Sequence, residues 1–469
     1  MNAISKSFYR LTCLVACCTF LWFLLSCSKT GFNNSPDARV NFSTDTLRFD
    51  TVFTSVGSVT QSFKIRNDND QKLKLSTVRL MGGNSSAYRI NIDGAAVAEA
   101  NNIELAPNDS IYVFVQVTVD PTTANLPFII QDSVQIIYNG NERFVQLESW
   151  GQNAHFLRNK TVTLNETWNN DLPYVVQGFL YVDEGVSLTI NKGCRIYLHA
   201  DAPVVVEGSL ITQGERDTAD RVYFSGDRLD VPYRNFPASW PGIYFTPLSF
   251  NNSLRYTVIS NAYQALIVEA PSLNANPKLR LNECVIDNAF DAGILATNSS
   301  ITATNCLISN CGRNISLTGG GAYQFTHCTA ATYSSTYINH KEPVLAVSNT
   351  FNNNVAALQA TFTNCIFWGE GGLVDDEVIV SRTGSTPFSV NFGHSLWKVA
   401  NTPANVTLNQ MINGQNPLFD SINTGTRYYN FRLKAESPAI GKGTAAGVAT
   451  DLDGKARPAT LPDPGCFEY

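Results

Sequence analysis

Leu279-Arg-Leu-Asn-Glu-Cys284-Val-Ile286-Asp-Asn288 returns 22 residues later as Ile301-Thr-Ala-Thr-Asn-Cys306-Leu-Ile308-Ser-Asn310, and its start returns again as Tyr323-Gln-Phe-Thr-His-Cys328. Looser copies flank these: Leu254-Arg-Tyr-Thr257-Val-Ile259-Ser-Asn261 upstream and Phe362-Thr-Asn-Cys365-Ile-Phe367 downstream. A period in the twenties marks stacked coils, none of which can bury its apolar face alone. Within each copy the apolar residues alternate or come in short runs rich in Val, Ile, Thr, Phe and Tyr, which is strand chemistry. No stretch between residues 161 and 430 sustains apolar positions at i, i+3, i+4 and i+7 over ten or more residues. A leucine-rich repeat has a similar period, but the recurring Leu and the helical convex side it needs are missing. The pattern predicts a parallel β-coil with three short strands and three turns per circuit.

Equivalent residues of successive coils then stack at the strand spacing of about 4.8 Å. Cys284, Cys306, Cys328 and Cys365 form an inward column, with Thr257 in the same place one coil earlier. Asn261, Asn288 and Asn310 form a second column at a turn, where Asn tolerates left-handed backbone. A column spreads its members along the axis, whereas a zinc site needs ligands converging on one point. The thiols are therefore expected to be reduced packing groups. Replacing Cys306 by Ser is expected to cost about 1–3 kcal/mol, because the hydroxyl would need a partner.

Residues 1–26 read as an export signal: Lys6 and Arg10, an apolar run from Leu11 to Leu25, then Ser26 before Cys27. That run is short of the roughly 20 apolar residues of a membrane span. Leu24-Leu25-Ser26-Cys27 resembles the bacterial lipobox, which makes Cys27 the expected lipid attachment site and residues 27–37 a polar tether. The address is the bacterial cell envelope, anchored to the outer membrane, with the periplasmic and surface faces left open. The chain carries 11 Cys and a formal net charge of −6, with only 15% charged residues and no basic run. That excludes nucleic acid as a partner.

Residues 38–152 alternate about seven strands with turn signals such as Asn67-Asp-Asn-Asp70 and Asn139-Gly-Asn141, which suggests an immunoglobulin-like β-sandwich. From Gly178 the chain becomes short strands punctuated by Gly, and the β-helix is placed at residues 161–430 with a C-terminal cap at 431–469. Excursions are expected at residues 227–241, 334–356 and 368–387, and binding residues favour such loops.

A family likeness rests on the tail: Asn416-Pro-Leu-Phe419, Tyr429-Asn-Phe-Arg-Leu433, Ser437-Pro-Ala-Ile440, Asp451-Leu-Asp-Gly454-Lys-Ala-Arg457-Pro and Pro462-Asp-Pro-Gly-Cys-Phe-Glu-Tyr469. With Gly178 to Gly214 and Trp240-Pro-Gly-Ile243, the chain resembles the pectate-lyase-like, right-handed parallel β-helix lipoproteins of Gram-negative bacteria. Cys466 stands where such tails more often carry Ala. The resemblance implies fold and address; many members have no established activity. Enzymes of the pectate-lyase-like group use a basic residue and usually Ca²⁺ held by carboxylates.

Such a constellation should appear as acidic residues on adjacent coils with Lys or Arg nearby. The aligned copies do not show it: Asp287 lines up with Ser260 and Ser309, and Asp291 with Gln264 and Arg313. Asp183-Glu184, Asp375-Asp376-Glu377 and the pair His199 and Asp201 are weaker candidates, and no metal ligand set is assigned. Asp451 or Asp453 is expected to pair with Arg457 and pin the cap over the last coil. Tyr233, Trp240, Tyr337 and Trp368 are the candidate glycan contacts, with Phe236 and Tyr333 beside them. The expected function is non-catalytic binding of polysaccharide or another extracellular partner by a monomer, without cofactor. The alternatives are a lyase or hydrolase of acidic polysaccharide, which would bring Ca²⁺, and a structural or adhesion role.

Overall fold

The computed structural model describes residues 31–53, 60–118, 128–229 and 233–469. The export signal, Cys27 and the start of the tether lie outside the described residues. The chain is all-β and parts at Gln152 and Asn153 into two compact units.

The first unit has two sheets around one core. Val40–Phe42, Gln61–Asn67, Ser110–Val117 and Tyr88–Ile92 make a four-stranded sheet. Thr46–Phe53, Asn141–Gln152, Phe128–Tyr138, Leu73–Leu80 and Glu99–Leu105 make a five-stranded one. Period-2 alternation sends Phe63, Ile65, Val113 and Val115 inward from one sheet to meet Leu75, Val78, Val134 and Leu147 from the other. The Asn139-Gly140 turn has φ of 47° and 79°, the left-handed pair that a tight hairpin between twisted strands requires.

The second unit is one parallel sheet of 26 strands wound as a β-helix-like coil. Each strand pairs with the equivalent strand of the next circuit, so three stacks of parallel rungs enclose the core. Ala292–Thr304 and Arg313–Thr326 are long enough to run through two stacks, bending at an irregularity between Thr297 and Ser299. On the stack that carries the cysteines, register runs Ile196, Phe224, Ile259, Ile286, Ile308, Ala330, Phe367 and Trp397, all buried. Two residues before these core positions lies the expected inward column, and it is longer than the repeat alone indicated. Cys194 and Val222 precede Thr257, and Ser395 follows Cys365. The seven described cysteines are free and buried, and burial holds the Cys306 and Cys365 thiols well above their usual range.

Two boundaries move. The coil begins at His155–Val162, which pairs in parallel with Tyr174–Val182, so it starts before residue 161. Its last paired strand is Ile412–Asn413, short of the expected residue 430, because Tyr428–Leu433 pairs antiparallel with Phe419–Asn423. The excursions are also shorter than expected, since Leu345–Ser348 and Val378–Ser381 are rungs.

The tail does not simply close the last coil. It lies along the outer side of the cysteine stack, where Leu307, Ile366 and Leu396 face outward and are buried by Phe419, Phe431, Leu433, Leu452 and Phe467. Nor does Asp451 or Asp453 pair with Arg457. Arg457 donates to Glu468 Oε2 at 2.8 Å and to Asn305 Oδ1 at 3.0 Å, while Asp453 binds Arg432 at 2.6 Å. Asp451 instead accepts the backbone N–H groups of Asp453, Lys455 and Glu468, which folds the tail's own turn. The pairing was unreadable because Asn305 and Glu468 meet Arg457 only once the tail has doubled back over the coil.

Candidate functional site

On the outward side of the cysteine stack, the last rung position of three successive copies holds Ser260, Asp287 and Ser309. The next residue in each copy, Asn261, Asn288 and Asn310, has φ of 63°, 57° and 50°, so the turn column is in the left-handed region as the pattern predicts. These amides form a ladder. Asn288 Nδ2 donates to Asn261 Oδ1 at 2.6 Å and to the Asn235 carbonyl at 3.1 Å. Asn261 Nδ2 donates to the Arg234 carbonyl at 2.8 Å, which fixes the 227–241 excursion over the turn.

Above this ladder is a cavity of about 320 Å³, lined by Asp287, the three Asn, Asn235, Ser335, Thr426, Arg427 and Tyr429. Four segments distant in sequence build it: the coil, the 227–241 loop, the 334–344 loop and the hairpin of the tail. Asp287 Oδ1 accepts from Ser309 Oγ at 2.7 Å and from Asn310 Nδ2 at 3.2 Å. Burial raises the Asp287 carboxyl above its usual range, while those two bonds and the nearby Arg427 charge oppose the rise. Arg427 also donates to the Asn235 carbonyl and lies over the Tyr337 ring, 5.3 Å from its centroid. Among the described residues, Arg427 Nε and Tyr429 Oη are buried with no hydrogen-bond partner. An unpaired buried polar group costs about 1–3 kcal/mol, so both mark positions suited to a bound oxygen atom.

The structure brings together only part of the aromatic set. Tyr233 is 43% exposed and Tyr337 37% exposed. Phe236 joins them, 5.1 Å from Tyr233 and 4.7 Å from Tyr337 between centroids. These rings form a wall that ends at the Arg427 guanidinium. Trp240 and Trp368 are corrected: at 1% and 4% exposure neither offers a ring face to a ligand. Trp240 packs in the coil core and donates to the Ser260 carbonyl at 2.9 Å; Trp368 lies under the tail and donates to Glu370 at 2.9 Å. Tyr333 is likewise buried, against Tyr429 and Phe431.

The acidic candidates resolve into local roles. His199 pairs with Asp227 at 2.7 Å and not with Asp201, which accepts from the Gly178 N–H. Asp183 holds the N–H of Glu184 at 3.0 Å, and Asp376 holds that of Asn401 at 2.8 Å. Glu377 is buried and meets His340 Nε2 at 2.8 Å, which ties the 334–344 loop to the coil. Lys278, whose ammonium burial pulls down to about 8, donates to the carbonyls of Thr246, Pro247 and Glu269. All three of its protons are therefore engaged in closing a turn. Among the described residues no three His, Cys, Asp or Glu side chains converge as a metal site. No helix among them is long and apolar enough to cross a membrane.

Sequence reasoning passed over Asp287, Arg427 and Tyr429. Asp287 carried one signal, a carboxylate between Ser260 and Ser309 in the neighbouring copies. Arg427 and Tyr429 carried none, because they reach the coil only through the fold-back of the tail.

No family model matches this chain, and no curated protein matches it. Among solved structures, a Porphyromonas gingivalis W83 protein of unknown function is 16% identical over 27% of this chain and 50% of its own, with a TM-score of 0.19. A family 123 glycoside hydrolase from Clostridium perfringens is 7% identical over 28% of this chain and 30% of its own, also with a TM-score of 0.19. A PapD-like domain of human CEP192 is 10% identical over 25% of this chain and 87% of its own, with a TM-score of 0.17. The chain thus spans half or less of the first two, and overlaps this weak carry no argument about fold or function.

Proposed function

We propose that this chain is an exported, lipid-anchored β-helix protein that binds glycan and does not cleave it. In this reading the coil is the right-handed helix of the pectate-lyase-like group, and the first unit is an immunoglobulin-like spacer. One observation carries the binding reading: the cavity over the Asn ladder holds a single carboxylate, a guanidinium with its Nε unpaired and an unpaired Tyr429 hydroxyl, beside a group of aromatic rings. Fixed hydrogen-bonding groups next to aromatic side chains suit a sugar, which has polar edges and apolar faces. Hydrolysis of a glycosidic bond ordinarily uses two carboxylates about 5–10 Å apart across the sugar. The cavity lining contributes only Asp287.

The test is a panel of neutral and acidic polysaccharides, scored for retention of the protein and for new reducing or unsaturated ends. Retention without new ends supports the proposal. Release of ends, with or without Ca²⁺, overturns it in favour of a hydrolase or lyase. The anchor is tested separately: Cys27→Ser should leave the membrane fraction, and unchanged fractionation would place the anchor elsewhere.

A further inference from the structure

Resting on that reading, we infer that the cavity takes one neutral sugar unit and grips it through two adjacent hydroxyls, with Asp287 as acceptor and Arg427 and Tyr429 as donors. The size is the first argument. At about 320 Å³ the cavity stands at the small end of ligand pockets, enough for one ring and its substituents and too small to bury a length of chain.

Charge is the second argument. Asp287 and Arg427 face one enclosed space and balance each other. A uronate carboxylate drawn to Arg427 would meet Asp287, and an amino sugar drawn to Asp287 would meet Arg427. Each charged class therefore brings a like-charge contact, which is discrimination by repulsion. A hydroxyl has no such conflict, since it donates and accepts at once.

Unpaired atoms complete the match. The two side-chain bonds to Asp287, from Ser309 and Asn310, both fall on Oδ1. Arg427 directs a terminal nitrogen to the Asn235 carbonyl, and its Nε is unpaired. Tyr429 Oη is unpaired as well. The ladder amides, by contrast, direct their N–H groups to Arg234, Asn235, Asn261 and Asp287, so they hold the cavity open and in shape. The carboxylate as acceptor and the two unpaired donors match a vicinal diol: one hydroxyl donates to Asp287 while its neighbour accepts from Nε or Oη. Because the partners are already fixed by the ladder and by the Tyr337 ring, little ordering is required on binding.

The experiment uses the full chain and calorimetric or NMR titration with methyl glycosides. The panel holds neutral hexosides, their deoxy counterparts lacking one hydroxyl of each adjacent pair, a uronoside and an amino-sugar glycoside. At least one neutral hexoside should bind, and the two matching deoxy compounds should each bind about tenfold or more weakly. Asp287→Asn and Tyr429→Phe should weaken that ligand by a similar factor. Tyr429→Phe removes one oxygen atom only, so it remains informative if Asp287→Asn fails to fold. Uronoside binding as tight as the hexoside, or deoxy compounds that bind undiminished, would overturn the inference. If polysaccharides retain the protein while Tyr429→Phe changes nothing, this inference fails and the glycan reading stands. If no sugar or polysaccharide is bound, both fail.

Discussion

Two columns run up the same stack one residue apart and behave in opposite ways. Thr257, Cys284, Cys306, Cys328, Cys365 and Ser395 point into the core, and each donates to the carbonyl two residues back in its own chain. The residues just before them, Tyr256, Glu283, Asn305, His327, Asn364 and His394, all have φ between 43° and 55° and sit at the turn. From Thr257 to Ser395 the inner column is uniform, a thiol or hydroxyl at each level, because these members meet the same surroundings. The turn column is varied because the tail runs across it and presents a different group at each level. Asn305 meets the Thr450 carbonyl and Arg457, His327 the Asp463 carbonyl, Asn364 both Thr444 N–H and carbonyl, and His394 the Lys442 carbonyl. A repeat constrains what faces its own kind, and variation within it marks where something else is bound.

Removing the tail should have the largest effect. A chain ending at Gln415 loses the cover over Leu307, Ile366 and Leu396 as well as the partners of the turn column. Exposed apolar columns beside an open strand edge should drive association. Light scattering and gel filtration should report aggregates; a monodisperse, folded truncation would show that the tail is dispensable.

A single residue should come next. Arg457 and Glu468 form an ion pair with side chains 1% and 5% exposed, and Arg457 also reaches Asn305 and the Asp463 and Gly465 carbonyls. Arg457→Met leaves Glu468 buried without its cation, at an expected cost of about 3–5 kcal/mol. Denaturant unfolding should show it, together with faster proteolysis within residues 416–469. A loss below 1 kcal/mol would mean the pair is not the pin that its geometry suggests.

Acid should act on the turn column and spare the inner one. Burial first, then the Arg457 charge, lowers the His327 imidazole to about 3. It is held neutral, with Nδ1–H toward the Asp463 carbonyl and Nε2 accepting from Asn364. Once the tail is released the ring returns toward about 6.5. Between those values the released state binds a proton that the docked state does not, so docking strengthens as pH rises. The contribution is complete above about pH 6.5 and falls away as pH drops toward 3. Hydrogen exchange in the tail, followed from pH 7 to pH 4, should quicken over this window. His327→Asn, which copies the residue used at this level by its neighbours, should flatten the dependence; an unchanged profile would assign the acid sensitivity to other groups.

The contrast also explains what was legible. Period 22 and β-branched composition sufficed to read the coil, and matching positions placed Thr257, Cys284, Cys306, Cys328 and Cys365 in one column, because local repetition reproduces the register. Cys194 escaped because its rung precedes the recognisable copies. The Asn column was readable through its turn chemistry. The cavity built on it was not, since Asp287 becomes special only when Arg427 and Tyr429 arrive from residues far along the chain. Trp240 and Trp368 misled for a related reason: large aromatics beside Gly and Pro look like loop residues until register seats them on rungs or under the tail.

The smallest effect is expected within the inner column, at Cys306. The sequence alone argued that Cys306→Ser would cost about 1–3 kcal/mol by burying an unpaired hydroxyl. In the fold that hydroxyl has a partner waiting: Cys306 Sγ lies 3.2 Å from the Thr304 carbonyl, and the same geometry serves Thr257 at 3.1 Å and Ser395 at 2.9 Å. A Ser at position 306 should adopt the arrangement its column already uses. Its expected cost falls within about 1 kcal/mol, the size of one modest net hydrogen bond. Cys306→Ala removes the donor as well as the volume and should be the worse of the two, although it is the more apolar. Paired denaturation curves for the two variants decide the point. Ser more stable than Ala means that the inner column is defined by its donor to the preceding carbonyl. The reverse order means that it is defined by apolarity, and the presence of Thr257 and Ser395 in it would then need another cause.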